Sequence, residues 1–227
     1  AFAGVVKKAG AIGLALAGGL ALKGGVSRAL AIEEAQAKLK GLGNDSKAVS
    51  TIMDNALASV KGTSFGLGEA ATTAAGAVAA GIKPGEGLER VLKSVSNSAA
   101  AANVGMDEMG AIYNKVATSG KAQNDVLSQV ADKGIPIYQA LADQLGVTAD
   151  QVFDMASAGK IGFGQFEKAM TSASGTVADE MGKTFMGSMN NLKSAFGRLG
   201  GAVRTPCLTW CDTVASKRSL ICGGHAS

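Results

Sequence analysis

The stretch GIPIYQALADQLGVTADQVFDMASAGKIGFGQFEKAM, Gly134 to Met170, decides how the chain is read. Gly134 can take up the left-handed conformation that closes one helix, and Pro136 fits the first turn of the next, where its missing N–H costs nothing. Tyr138, Leu141 and Leu145 recur at the spacing of one helical face until Gly146 ends the run, and Thr148 offers a hydroxyl to cap the following helix. Val152, Phe153 and Met155 form the apolar surface predicted for that helix, which Gly159 closes. Ile161, Phe163, Phe166 and Met170 supply apolar groups for a third. Three short helices joined by glycine turns follow from this pattern.

Leu141 to Ile161 resembles a DNA-binding helix-turn-helix, with Gly146 at the turn and Thr148 to Ser157 in the place of the recognition helix. The charges oppose DNA binding. That helix carries Asp150 and Asp154 and neither Lys nor Arg, so it would bring two negative charges to a phosphate-lined groove. Across 132–170 the acids Asp132, Asp143, Asp150, Asp154 and Glu167 exceed the bases Lys133, Lys160 and Lys168.

A broader likeness runs through the chain. The Gly-x-Pro break at Gly134, the L-x-x-x-L-G-V-T turn from Leu141 to Thr148, and A-G-K-I-x-x-x-x-F from Ala158 to Phe166 together resemble the N-terminal domain of bacteriophage tail tape-measure proteins. AIEEAQAKLKGLG, Ala31 to Gly43, resembles the family's early helix, and GSMNNLKSAFGRLGG, Gly187 to Gly201, the stretch leading towards its long rod. The order of these motifs from Val26 to Gly201 is the signal, since each alone is built from common helix-and-turn residues. The resemblance implies a structural virion protein of a phage or prophage tail: part of the tape measure that sets tail length during assembly and is released at DNA ejection. It implies tail tube subunits, tail-assembly chaperones and further copies of the chain as partners, host membrane contact after ejection, and residence in the host cytoplasm and then the tail lumen.

Composition agrees with an all-α, multi-helix bundle of short helices with glycine turns, flanked by longer amphipathic helices. Glycine is abundant at 32 residues while proline contributes only 3, which favours many small helices over disorder, and aromatics at 4% leave small side chains to fill the core. The net charge of +4 comes from bases interspersed with acids. Arg90, Lys93, Lys61 and Lys115 are expected on solvated helix faces, not on a phosphate track.

Three regions emerge. Residues 1–25 are a Gly/Ala-rich apolar helix, residues 26–201 the tape-measure-like helical domain, and residues 202–227 an atypical tail expected to be disordered. The chain starts at Ala1, as a segment of something larger would. Ala9 to Leu22 reaches only about 21 Å as a helix, short of the roughly 30 Å hydrocarbon layer, so it reads as a helix that packs through small residues. It is also the motive for the alternative reading as a membrane-active helical protein, as Leu141 to Ile161 is for a DNA-binding regulator.

Within the domain, Leu30, Ala31, Ala35 and Leu39 share one side of a helix starting near Ser27, and Val49, Ile52, Met53, Ala56 and Val60 one side of the next. Gly62 to Gly68 reads as a loop, and Glu69 to Ile82 as a weak helix interrupted by Gly76 and Gly81. Leu88, Val91, Leu92 and Val95, then Met106, Met109, Ile112, Tyr113 and Val116, mark two core-facing stripes. Val126, Leu127 and Val130 lead into the break at Gly134. From Thr176 onwards Met181, Phe185, Met189, Leu192, Phe196 and Leu199 approach a heptad, which suits pairing with another copy.

Catalytic groupings are missing. The sole histidine, His225, lies in the tail, so no Ser-His-Asp or Cys-His arrangement is available to the folded part. Gly62 to Glu69 lacks the Lys-Ser/Thr end of a phosphate loop, and Glu33 and Glu34, being adjacent, splay apart on a helix. Cys207, Cys211, Cys222 and His225 could be written as four zinc ligands, but their spacing fits no zinc module well. The expectation is no enzyme, no cofactor, no metal and no nucleic acid.

Overall fold

The computed structural model describes residues 27–184. The first helix, α1, runs over 27–41. It is followed by α2 (Ser46–Val60), α3 (Leu67–Ala79), α4 (Glu86–Ala102), α5 (Met106–Ser119), α6 (Asn124–Asp132), α7 (Ile137–Leu145), α8 (Ala149–Ser157), α9 (Phe163–Ser174) and α10 (Val177–Lys183). The protein is all-α: among the described residues the one extended pairing is an isolated bridge between Lys121 and Gly162. Residues 30–184 lie within one compact unit, Leu30–Asn191.

Helix α4 is the hub. It touches α2, α3, α5, α9 and α10, and Leu88, Val91, Leu92, Val95 and Ala99 are all buried along it. Small residues permit this crowding. Helix α3 buries Ala70, Ala71, Ala74, Ala75 and Ala77, so α2 and α5 can approach its backbone closely. The bulky core groups come from α5 and α9: Tyr113 and Phe166 meet edge-to-face with ring centroids 5.2 Å apart.

The helices expected from Gly134 to Met170 form as α7, α8 and α9. Gly134 (φ 81°) and Gly146 (φ 69°) adopt the left-handed conformation at the two helix ends that their sequence positions predict. Pro136 sits one position earlier than expected, at the N-cap of α7. Thr148 caps α8 reciprocally: its hydroxyl accepts from the Gln151 N–H at 3.3 Å, and Gln151 Oε1 accepts from the Thr148 N–H at 2.9 Å. Between the α5–α6 and α8–α9 connections, the Ala122 N–H donates to the Ile161 carbonyl at 2.8 Å, which pins two loops together.

Several expectations need correction. Gly76 does not interrupt α3, which runs unbroken from Leu67 and so takes in part of the expected loop. Gly76 is a contact point: a Cβ there would stand 2.7 Å from Asn114 Nδ2 of α5. Leu30 faces outward on α1, while Ala35 and Leu39 carry its buried side. Phe153 is 52% exposed, and α8 is held instead by Val152 and Ala156. The apolar stripe from Met181 is broken at its start, because α10 ends at Lys183 and Thr184 is extended (φ −69°, ψ 164°). Phe185 to Leu199, Ala9 to Leu22 and the tail with Cys207, Cys211, Cys222 and His225 lie outside the described residues, as do the boundaries expected at 25/26 and 201/202.

Helix α10 returns to the hub through backbone contacts. Asn97 of α4 accepts the Ala178 N–H on its side-chain oxygen at 3.1 Å, and Gly182 lies so close to Gly62 that a Cβ would stand 1.9 Å from the Gly62 carbonyl oxygen. Alanine would favour an isolated helix over glycine by about 1 kcal/mol, so the sign of Gly182→Ala separates the two effects. Since the obstacle is backbone, loss of hydrogen-exchange protection across Val177–Lys183 is expected, with the rest of the core unchanged.

Candidate functional site

The feature that hydrophobic periodicity does not disclose is a polar seam at the heart of the unit. Helix α4 carries Ser94, Ser96, Asn97 and Ser98 in its buried half, interleaved with Val95. A buried hydroxyl needs a partner, and each of these has one. Ser94 Oγ lies 2.7 Å from Tyr113 Oη and accepts from Thr171 Oγ1 at 2.8 Å. Ser98 Oγ lies 3.1 Å from the same phenol and 2.8 Å from Ser174 Oγ. Ser96 donates to the Ser59 carbonyl at 3.3 Å, and Ser174 to the Met170 carbonyl at 2.7 Å.

Burial pushes the Tyr113 phenol well above its ordinary pKa, with the hydrogen bonds to Ser94 and Ser98 acting in the opposite direction. At neutral pH this tyrosine is a protonated hub that joins α4, α5 and α9. Beside it, the nearly buried Glu167 is met by Arg90 at 3.3 Å, and the arginine's own side chain remains 69% exposed.

This seam is not a catalytic arrangement. Its hydroxyls are satisfied by one another and by backbone, and no histidine occurs among the described residues to activate one. No group of three or more His, Cys, Asp or Glu among the described residues could hold a metal ion. Glu33 and Glu34 are exposed on α1, whereas Met106 and Met109 are fully buried packing residues. In the Gly62 to Glu69 stretch, Glu69 turns back to accept the Gly66 N–H at 3.5 Å, so it is a helix start.

Two open surface grooves flank α5. One, of about 630 Å³, is lined by Lys38, Gly76, Ala79, Ala80, Asn114 and Ser119, and the other, of about 520 Å³, by Glu108, Ile112, Gln129, Asp132 and Lys133. Small side chains wall the first, and charges lie along both, among them Lys115, which pairs with Asp125, and Lys133, which pairs with Glu108. The Lys115 hydrogen bond holds the Asp125 carboxyl below its usual range. On so exposed a group the effect on stability is small, and it fades as acid titrates the carboxylate.

Arg90, Lys93, Lys61 and Lys115 are exposed, as charge interspersion predicts, and gather into no basic track. The would-be recognition helix α8 turns Asp150, Phe153, Asp154 and Ser157 outward. No helix among the described residues is long and apolar enough to cross a membrane. Residues 23–205 match a family model described as "Tape measure protein". No curated protein and no solved structure matches the chain.

Proposed function

The chain belongs to the tape measure protein family, whose members are structural components of phage tails, and from that premise we propose that it is a globular cap on the rod that sets tail length. The family match, spanning most of the chain, is the observation that carries the reading. The mechanism is geometric. A helix rises about 1.5 Å per residue, so a rod of fixed residue count is a ruler, and tube subunits stop adding where it ends. The described unit is not itself the ruler. Its longest helix, α4, has 17 residues, and the helices fold back on one another around it.

In this reading the cap serves by shape and contact. Tail tube subunits, tail-assembly chaperones and other copies of the chain are its partners, it occupies the tail lumen after assembly in the host cytoplasm, and it leaves with the rod at DNA ejection, when it meets the host envelope. A seam whose serine hydroxyls are bonded to one another, to the Tyr113 phenol and to backbone suits building material better than chemistry.

The test uses the full gene. In-frame deletions in the downstream rod are expected to shorten tails by about 1.5 Å per residue removed, whereas deletions of whole helices within 30–184 should abolish assembly instead of shortening tails in proportion. Tails of unchanged length after rod deletions would refute the ruler.

A further inference from the structure

The outward face of α8 carries an inference that holds whether or not the rod sets length. Phe153 is the one aromatic among the described residues with a largely exposed side chain; Tyr113 and Phe166 are buried, and Phe65, Tyr138 and Phe163 are half-buried against the core. About half of the Phe153 surface is open to solvent, on an ordered helix. Asp150 and Asp154 stand three residues before and one after it, both exposed, and Ser157 completes the face one turn on. The helix has neither Lys nor Arg to neutralise the two carboxylates.

This face is held in place before anything binds. The Thr148–Gln151 capping box fixes the start of α8, Val152 and Ala156 anchor its inner side, and Asn124 of α6 donates its side-chain N–H to the Phe153 carbonyl at 2.9 Å and to Ser157 Oγ. Preorganisation of this kind lowers the ordering cost of association. An aromatic anchor between two carboxylates is complementary to an apolar stripe flanked by cations.

We propose that α8 is a protein-docking helix whose occupant is a basic amphipathic helix of a partner protein, with Phe153 seated on the partner's apolar stripe and Asp150 and Asp154 facing its Lys or Arg side chains. The position that would read DNA bases in a helix-turn-helix is here turned to a protein of opposite charge.

The experiment titrates the full chain with three probes: a helical peptide of Leu with Lys and Arg on its flanks, the same peptide with Glu in place of every base, and duplex DNA. The expected result is salt-dependent binding of the basic peptide alone, weakened tenfold or more by Phe153→Ala. In the Asp150→Asn/Asp154→Asn double variant, binding weakens and its salt dependence flattens. Both variants change exposed side chains, and thermal unfolding followed by circular dichroism checks that the fold persists. Equal binding of the acidic peptide, binding of DNA that Phe153→Ala weakens, no binding of the basic peptide, or an undiminished affinity in Phe153→Ala would each overturn the proposal.

Discussion

Phe166→Ala is expected to lower the unfolding free energy by about 3–5 kcal/mol, a large part of the 5–15 kcal/mol typical of a domain. Phe166 is fully buried and supplies one half of the only ring pair among the described residues. Tyr113, its ring partner, is held by hydrogen bonds to Ser94 and Ser98 and is not free to swing into the vacated space, so the cavity should persist. Denaturant unfolding of the two proteins measures the difference. A loss below about 1 kcal/mol would mean that α9 closes over the gap and that the ring contributes little.

Tyr113→Phe removes a single oxygen and tests the polar seam. Ser94 keeps the hydrogen bond from Thr171 and Ser98 keeps its contact with Ser174, but each loses the phenol. The expected cost is about 1–3 kcal/mol, the range for leaving buried polar groups short of a partner. Titration gives a second signature. Because the folded-state pKa of Tyr113 is raised above its unfolded value, the stability it contributes is fully present below about pH 10 and declines as pH rises beyond that, towards the folded pKa. Stability curves measured through the alkaline range should fall more steeply for the native protein than for Tyr113→Phe. Parallel curves would show that the phenol ionises as freely in the folded protein as in the unfolded one.

Much of the architecture could be read from residues whose physics is local. Gly134, Gly146 and Gly159 were legible as turns because a positive φ is a property of one position, and Thr148 was legible as a cap because its partner Gln151 lies three residues away. Gly76 misled for the converse reason. A glycine that admits a neighbouring side chain looks in sequence like one that breaks a helix, and only the presence of Asn114 tells them apart. Hydrophobicity alone places Phe153 and Leu30 inward, yet each helix has enough other apolar residues, Val152 with Ala156 and Ala35 with Leu39, to hold it without them. The seam was hidden because serine in a helix reads as solvent-facing. The signal that discloses it is the run Ser94-Val95-Ser96-Asn97-Ser98, which leaves no polar face opposite an apolar one. The absence of a histidine in the folded region was plain in the sequence, and the wiring of the hydroxyls needed coordinates.

The attachment of α10 has a mechanical consequence. Any tension entering the unit through Thr184 reaches Gly182 and Ala178 before it reaches α9, so the Gly62 contact and the Asn97 hydrogen bond bear the load first. At seven residues α10 is the shortest of the described helices, with that bond and that close backbone approach among its anchors, and tension at Thr184 is expected to detach it before the ring-packed layers behind it. The fold thus has a sacrificial stitch at its exit, able to lengthen under strain while Tyr113 and Phe166 stay in register.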